Sequence, residues 1–135
     1  MFFPKHDLTH FVVETTFGMR RGFYGLVAEG WNLADFGTPW PRGQPSADAD
    51  PVEDVVQLLD RETGHQPPCT AAEFNGFIAQ FQTQHPAACP IAAVTDETLT
   101  RLRAQLRELT AQWTALPVGQ TLELSFPLAA GRIFC

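Results

Sequence analysis

Apolar residues recur at helical spacing through most of the chain. Val52, Val55, Val56 and Leu59 follow the i, i+3, i+4, i+7 rhythm, with Asp50 placed to cap and Pro51 suited to a first turn, and Gly64 as a stop. Phe74, Phe77, Ile78 and Phe81 repeat the rhythm behind Thr70-Ala71-Ala72-Glu73, a capping-box pattern, and His85-Pro86 ends it. The longest stripe is Leu99, Leu102, Leu106, Leu109 and Trp113, which predicts a helix from Asp96 to about Ala115 capped by Thr95. A first helix is predicted from Pro4 to about Phe17, with Gly18 as its stop, and a short one from Arg21 to Glu29; Trp31 to Phe36 fits no single pattern.

One segment has a different period. Thr121-Leu122-Glu123-Leu124-Ser125-Phe126 alternates apolar and polar, which predicts a strand. A single strand leaves its backbone groups unpaired, so Phe2-Phe3, Arg132-Ile133-Phe134 or another subunit is expected beside it. Thr38 to Ala49, broken by three prolines and a glycine, is expected to be a surface loop. The fold class expected is therefore mainly α with a small β element: one compact domain over residues 1–135, with about four to five helices and one or two short strands.

Composition narrows the function. The 135 residues amount to one domain, and 44% hydrophobic with 18% charged content excludes a disordered chain. A net charge of −6 and a pI near 5.0 argue against nucleic acid as the partner. No apolar run approaches the roughly 20 residues of a membrane helix, so no membrane partner is expected. The start lacks a basic-then-apolar leader, and the cysteines Cys69, Cys89 and Cys135 are odd in number, so reduced thiols in a cytoplasm are expected.

The chemistry concentrates at His6-Asp7-Leu8-Thr9-His10-Phe11-Val12-Val13-Glu14. On a helix His6, His10 and Glu14 fall within an arc of about 80°, shared with Val13 and Phe17, so all three are expected to be substantially buried. Buried ionisable groups need partners, and histidines four apart can share one metal ion. Glu14 lies about 12 Å along the axis from His6, so one straight helix supplies His6 with His10, or His10 with Glu14. A further ligand would come from Glu29, Asp35 or His65. His65 and Cys69, with His85 and Cys89, repeat an H-x3-C spacing, but the helix between them, about 22 Å long, keeps the pairs apart.

His6 to His10 resembles the zinc-protease motif H-E-x-x-H, with Asp7 where that family has its catalytic glutamate. The resemblance implies His6 and His10 as zinc ligands and Asp7 as the catalytic residue, although its side chain ends about 1.5 Å shorter. Pro4-His6-Asp7-Leu8-His10-Val13-Glu14, Gly22-Phe23-Gly25-Leu26-Val27-Ala28 and Trp113-Leu116-Pro117-Gly119-Leu122-Leu124 together resemble a small bacterial domain family of uncharacterised function. That resemblance supports the segmentation and implies no activity.

The remaining signals are structural. The Leu99–Trp113 stripe suits a core-facing helix or a homodimer seam, with Arg101, Arg103, Arg107 and Glu108 on its solvated side. Arg20-Arg21 is expected to neutralise Glu14, Glu29 or Asp35, with an anionic ligand as the alternative. The function expected first is a non-enzymatic helical binding or oligomerisation domain with a structural His/Asp/Glu cluster. The alternative is a metal-binding or metal-dependent, hydrolase-like domain using a divalent ion such as zinc on His6, His10 and Glu14, with Asp7 as its catalytic group.

Overall fold

The structure, a computed structural model, describes residues 4–44, 49–64 and 67–127. Five α-helices follow one another: α1 (Pro4–Phe17), α2 (Phe23–Ala28), α3 (Ala49–Gly64), α4 (Ala71–Gln84) and α5 (Asp96–Ala115), with a 3-10 turn at Leu33–Phe36 between α2 and α3. Helix α1 is the hub. Residues Leu8 to Glu14 are all buried, and α1 packs against α2, α3 and α5. A helix that is apolar nearly all round has no solvent face to offer, so it must be enclosed by neighbours. Its end is set by Gly18 at φ 65°, where the Met19 N–H reaches back to the Glu14 carbonyl at 2.9 Å.

The other helices follow the expected stripes. Val52, Val55, Val56 and Leu59 of α3 and Leu99, Leu102, Leu106 and Leu109 of α5 are buried together with Phe74 and Ile78 of α4. Thr70 and Glu73 form the capping box of α4, and Thr95 caps α5. Two residues depart from the expected core: Phe77 and Trp113 are 40% and 38% exposed. Helix α2 is shorter than the predicted 21–29, and α3 already includes Asp50, which lies in the first turn instead of capping it.

The β element is not present among the described residues. Residues 121–127 are extended coil with no ladder, so they carry no strand. Their alternation has another cause: Leu122, Leu124 and Phe126 pack against the helical core while Thr121, Glu123 and Ser125 face water. Period-two burial needs only one apolar wall beneath an extended chain, not a paired neighbour. The expected partners Phe2-Phe3 and Arg132-Ile133-Phe134 lie outside the described residues, as do positions 45–48 of the proline-rich loop. No described helix is long and apolar enough to cross a membrane.

Side chains fasten the connections. Asn75 of α4 pairs with both the N–H (2.8 Å) and the carbonyl (2.9 Å) of Val94, pinning the segment that leads into α5. Arg103, expected on a solvated face, instead grips Glu62 of α3 in a two-pronged pair at 2.7 and 3.0 Å and donates to the Cys69 carbonyl at 2.7 Å. Arg103→Met should therefore destabilise the fold by about 3 kcal/mol in urea unfolding, because it strands a nearly buried carboxylate. A loss below about 1 kcal/mol would mean that Glu62 reaches water. The expectation of uniformly reduced thiols also fails: Cys69 is free, but Cys89 is disulfide-bonded. An odd cysteine count forbids complete pairing, not a single pair.

Candidate metal centre

Helix α1 and helix α3 meet along polar edges that flank their apolar stripes. His6, Thr9 and His10 recur on one side of α1 at helical spacing, and Glu53 and Asp60, seven residues apart, share one side of α3. Where the edges meet, the His6 Nδ1 faces Asp60 Oδ2 at 2.7 Å and its Nε2 faces Glu53 Oε1 at 3.4 Å. The His10 Nε2 faces the other oxygen of Glu53, Oε2, at 2.9 Å, while its Nδ1 faces Glu14 Oε2 at 3.2 Å. Thr9 donates its hydroxyl to Asp60 Oδ1 at 2.7 Å and so holds that carboxylate in place. The two imidazoles pack edge to face with centroids 4.8 Å apart.

The result is a group of three ligand atoms, one each from His6, His10 and Glu53, all within 4.8 Å of one another. Ideal tetrahedral geometry at a Zn–N length near 2.0 Å puts ligand atoms about 3.3 Å apart, so small side-chain adjustments suffice to close them on one ion. Each histidine also has a carboxylate behind its Nδ1, the arrangement that fixes the ring of a metal-binding histidine and leaves Nε2 for the ion.

The expected site residues divide. His6 and His10 come together on one side of the helix as the spacing requires; His10 is buried, but the His6 side chain is 35% exposed. Glu14 is fully buried but stands outside the group of three. Its carboxylate accepts the Gly25 N–H at 3.0 Å, the Tyr24 N–H at 3.3 Å and the His10 ring, tying α2 to α1. Backbone N–H groups and His10 serve Glu14, and Asp35 pairs with Arg42 at 3.0 Å. The third residue of the group is Glu53, not Glu29 or Asp35; His65 lies outside the described residues. The signal for Glu53 was its place on the edge of the α3 stripe, in phase with Asp60, but that pattern alone cannot choose which helix it faces.

Glycines make the close approach of α2 feasible. A Cβ at Gly22 would collide with the Glu14 carboxyl, and one at Gly25 with the backbone carbonyl of Arg20. Gly25→Ala should cost about 2–4 kcal/mol, because backbone must move to admit the methyl group. Thermal unfolding within about 1 °C of the unsubstituted protein would show this turn to be slack.

Electrostatics follow from the packing. Burial alone would lower the His10 pKa, but hydrogen bonds and charge from Glu14 and Glu53 outweigh it and raise it to about 9. The hydrogen bond from His10 in turn lowers the Glu53 pKa. Burial pushes the Asp7 carboxyl up, against the pull of His6 and His10. Asp7 does not join the three ligand atoms; it sits on the wall of a cavity of about 310 Å³ onto which His6, His10 and Glu53 open. Two further concavities, a groove of about 760 Å³ along α5 and a hollow of about 140 Å³ near Met19 and Ile91, contain no such ligand group among the described residues.

Comparison with protein families, with curated proteins and with solved structures returns no match.

Proposed function

We propose that the protein binds one divalent transition-metal ion, zinc first among them, through His6, His10 and Glu53. The observation that carries this is the orientation of the two rings. Both turn Nε2 toward the two oxygens of one carboxylate, and both have Nδ1 backed by a second carboxylate, Asp60 or Glu14. Two imidazoles and one carboxylate make a set that suits zinc or iron(II) and leaves a coordination position open, unlike the closed four-ligand set of a purely structural zinc. A bound ion would supply Lewis-acid chemistry at the cavity mouth. Asp7 on the cavity wall would serve as the acid–base group of a metal-dependent hydrolase-like reaction.

The test is thermal unfolding of tag-free protein with zinc and with a chelator, for the unsubstituted chain, His10→Ala and Glu53→Gln, together with elemental analysis. At zinc a hundredfold above Kd the gain should be about 2.7 kcal/mol, a rise of roughly 10 °C, with one equivalent of metal per chain. Both variants should lose the rise. Equal melting with zinc and chelator in the unsubstituted protein would overturn the reading.

The second reading is a non-enzymatic helical binding or oligomerisation domain, forming a homodimer through α5, in which the cluster only stabilises. What favours it is that no buried side-chain nitrogen or oxygen among the described residues lacks a hydrogen-bond partner. On that reading His10→Ala lowers stability equally with zinc and with chelator.

A further inference from the structure

We infer that the cavity beside His6, His10 and Glu53 takes a compact organic cation with an aromatic or apolar body and discriminates against anions. The inference builds on the metal reading, because it assigns the ligand that would sit against the same site.

The cavity has two unlike walls. One is the polar edge of α1 and α3: His6, Asp7, His10 and Glu53. The other is apolar, built from Phe23, Leu26, Phe36 and Val52. The rings of Phe23 and Phe36 lie 4.9 Å apart, Phe23 is 6.1 Å from the His10 ring, and Trp31 backs Phe36 at 5.2 Å. An aromatic surface opposite a carboxylate edge suits an ammonium carried on a ring: the ring packs on the phenylalanines and the charge is drawn to Asp7 and Glu53.

Charge decides the sign. Among the described residues no lysine or arginine lines the cavity. Asp7 and Glu53 face it, and Glu14 and Asp60 stand directly behind the histidines. Those four carboxylates outnumber the single charge of a protonated His10 in the metal-free protein and the two charges of a divalent ion in the loaded one, so the cavity stays negative in both. In a partly desolvated setting that repels an anion and attracts a cation more strongly than in bulk water. Size sets the other limit. A cavity of about 310 Å³ lies at the small end of ligand-binding cavities, so its guest is compact.

Three probes of one shape and different charge test this: benzylamine, benzyl alcohol and benzoate. Each is titrated into the full chain, zinc-loaded and zinc-free, by calorimetry and by amide NMR shifts, after zinc uptake has been measured separately. Benzylamine should bind at least tenfold tighter than benzoate and at least threefold tighter than benzyl alcohol, with shifts centred on Phe23 and Phe36. Phe36→Ala should weaken benzylamine at least fivefold and leave zinc uptake unchanged; Asp7→Asn should reduce the preference for benzylamine over benzyl alcohol. Benzoate binding as tightly as benzylamine, benzyl alcohol matching it, absence of benzylamine binding, or shifts centred elsewhere would each overturn the inference. Failure of zinc uptake with the probe order preserved would overturn the metal reading alone, because the charge preference does not need the ion.

Discussion

Replacing Glu14 by alanine is expected to be among the most damaging single changes in the chain, lowering the unfolding free energy by about 3–5 kcal/mol. The carboxylate is fully buried and serves three donors at once: the Gly25 and Tyr24 N–H groups and the His10 ring. Alanine leaves the two N–H groups and the His10 Nδ1 without this acceptor, in a space that the missing side chain has just emptied, while the His10 Nε2 keeps Glu53. Glu14→Gln preserves the volume and an acceptor but not the charge opposite His10, so its cost should be roughly half as large. The damage should reach the proposed metal centre as well. Without Glu14 behind Nδ1 the His10 ring loses its orientation, and zinc affinity should fall about 10–100-fold in whatever protein remains folded. Urea unfolding followed by zinc titration of Glu14→Gln separates the two effects. A stability loss under about 1 kcal/mol for Glu14→Ala would mean that water reaches the α1–α2 junction and satisfies the donors.

How far the sequence discloses this site depends on whether a contact is local or distant. The pairing of His6 with His10, and of His10 with Glu14, lies within one helix, and helical spacing alone predicts both. The contacts that turn those residues into a ligand set do not. His6 meets Asp60 across 54 positions and Thr9 meets the same carboxylate across 51. Nothing in the rhythm of α3 distinguishes an acidic residue that faces water from one that faces another helix's polar edge. The same reason explains Arg103, which periodicity places outside the core and which in fact crosses to Glu62. It also explains residues 121–126, where alternation correctly marks which side chains turn inward but cannot tell an extended chain resting on helices from a paired strand. Gly22 and Gly25 weaken any helix prediction over 21–29, and the structure supplies the reason they stand there: α2 comes so close to α1 that side chains at these positions would strike Glu14 or the chain itself.

Metal-free protein is expected to lose about 3 kcal/mol of stability as pH rises from about 6.5 to above 9, because His10 is held protonated well beyond its ordinary range. The sign follows from the proton count. The folded-state pKa is about 9 and the ordinary value is 6.5. Between those values the folded chain holds a proton that the unfolded chain has released, so raising the pH favours unfolding. The contribution is complete below about 6.5 and gone once pH passes through about 9. Glu53 is the other end of the same ion pair: its lowered pKa means that stability falls again in acid, from its ordinary value of 4.5 downward as the carboxylate takes up a proton. These two limbs describe one interaction lost from either side and are not to be added. Chelator-treated protein unfolded in urea at pH 6, 7.5 and 9.5 should therefore show a steadily falling midpoint. His10→Gln, which keeps a side chain able to hydrogen-bond but cannot titrate, should be less stable at pH 6 and should flatten the fall. A midpoint that does not change between pH 6 and 9.5 in the unsubstituted protein would show that His10 is neutral in the folded state and forms no ion pair with Glu53.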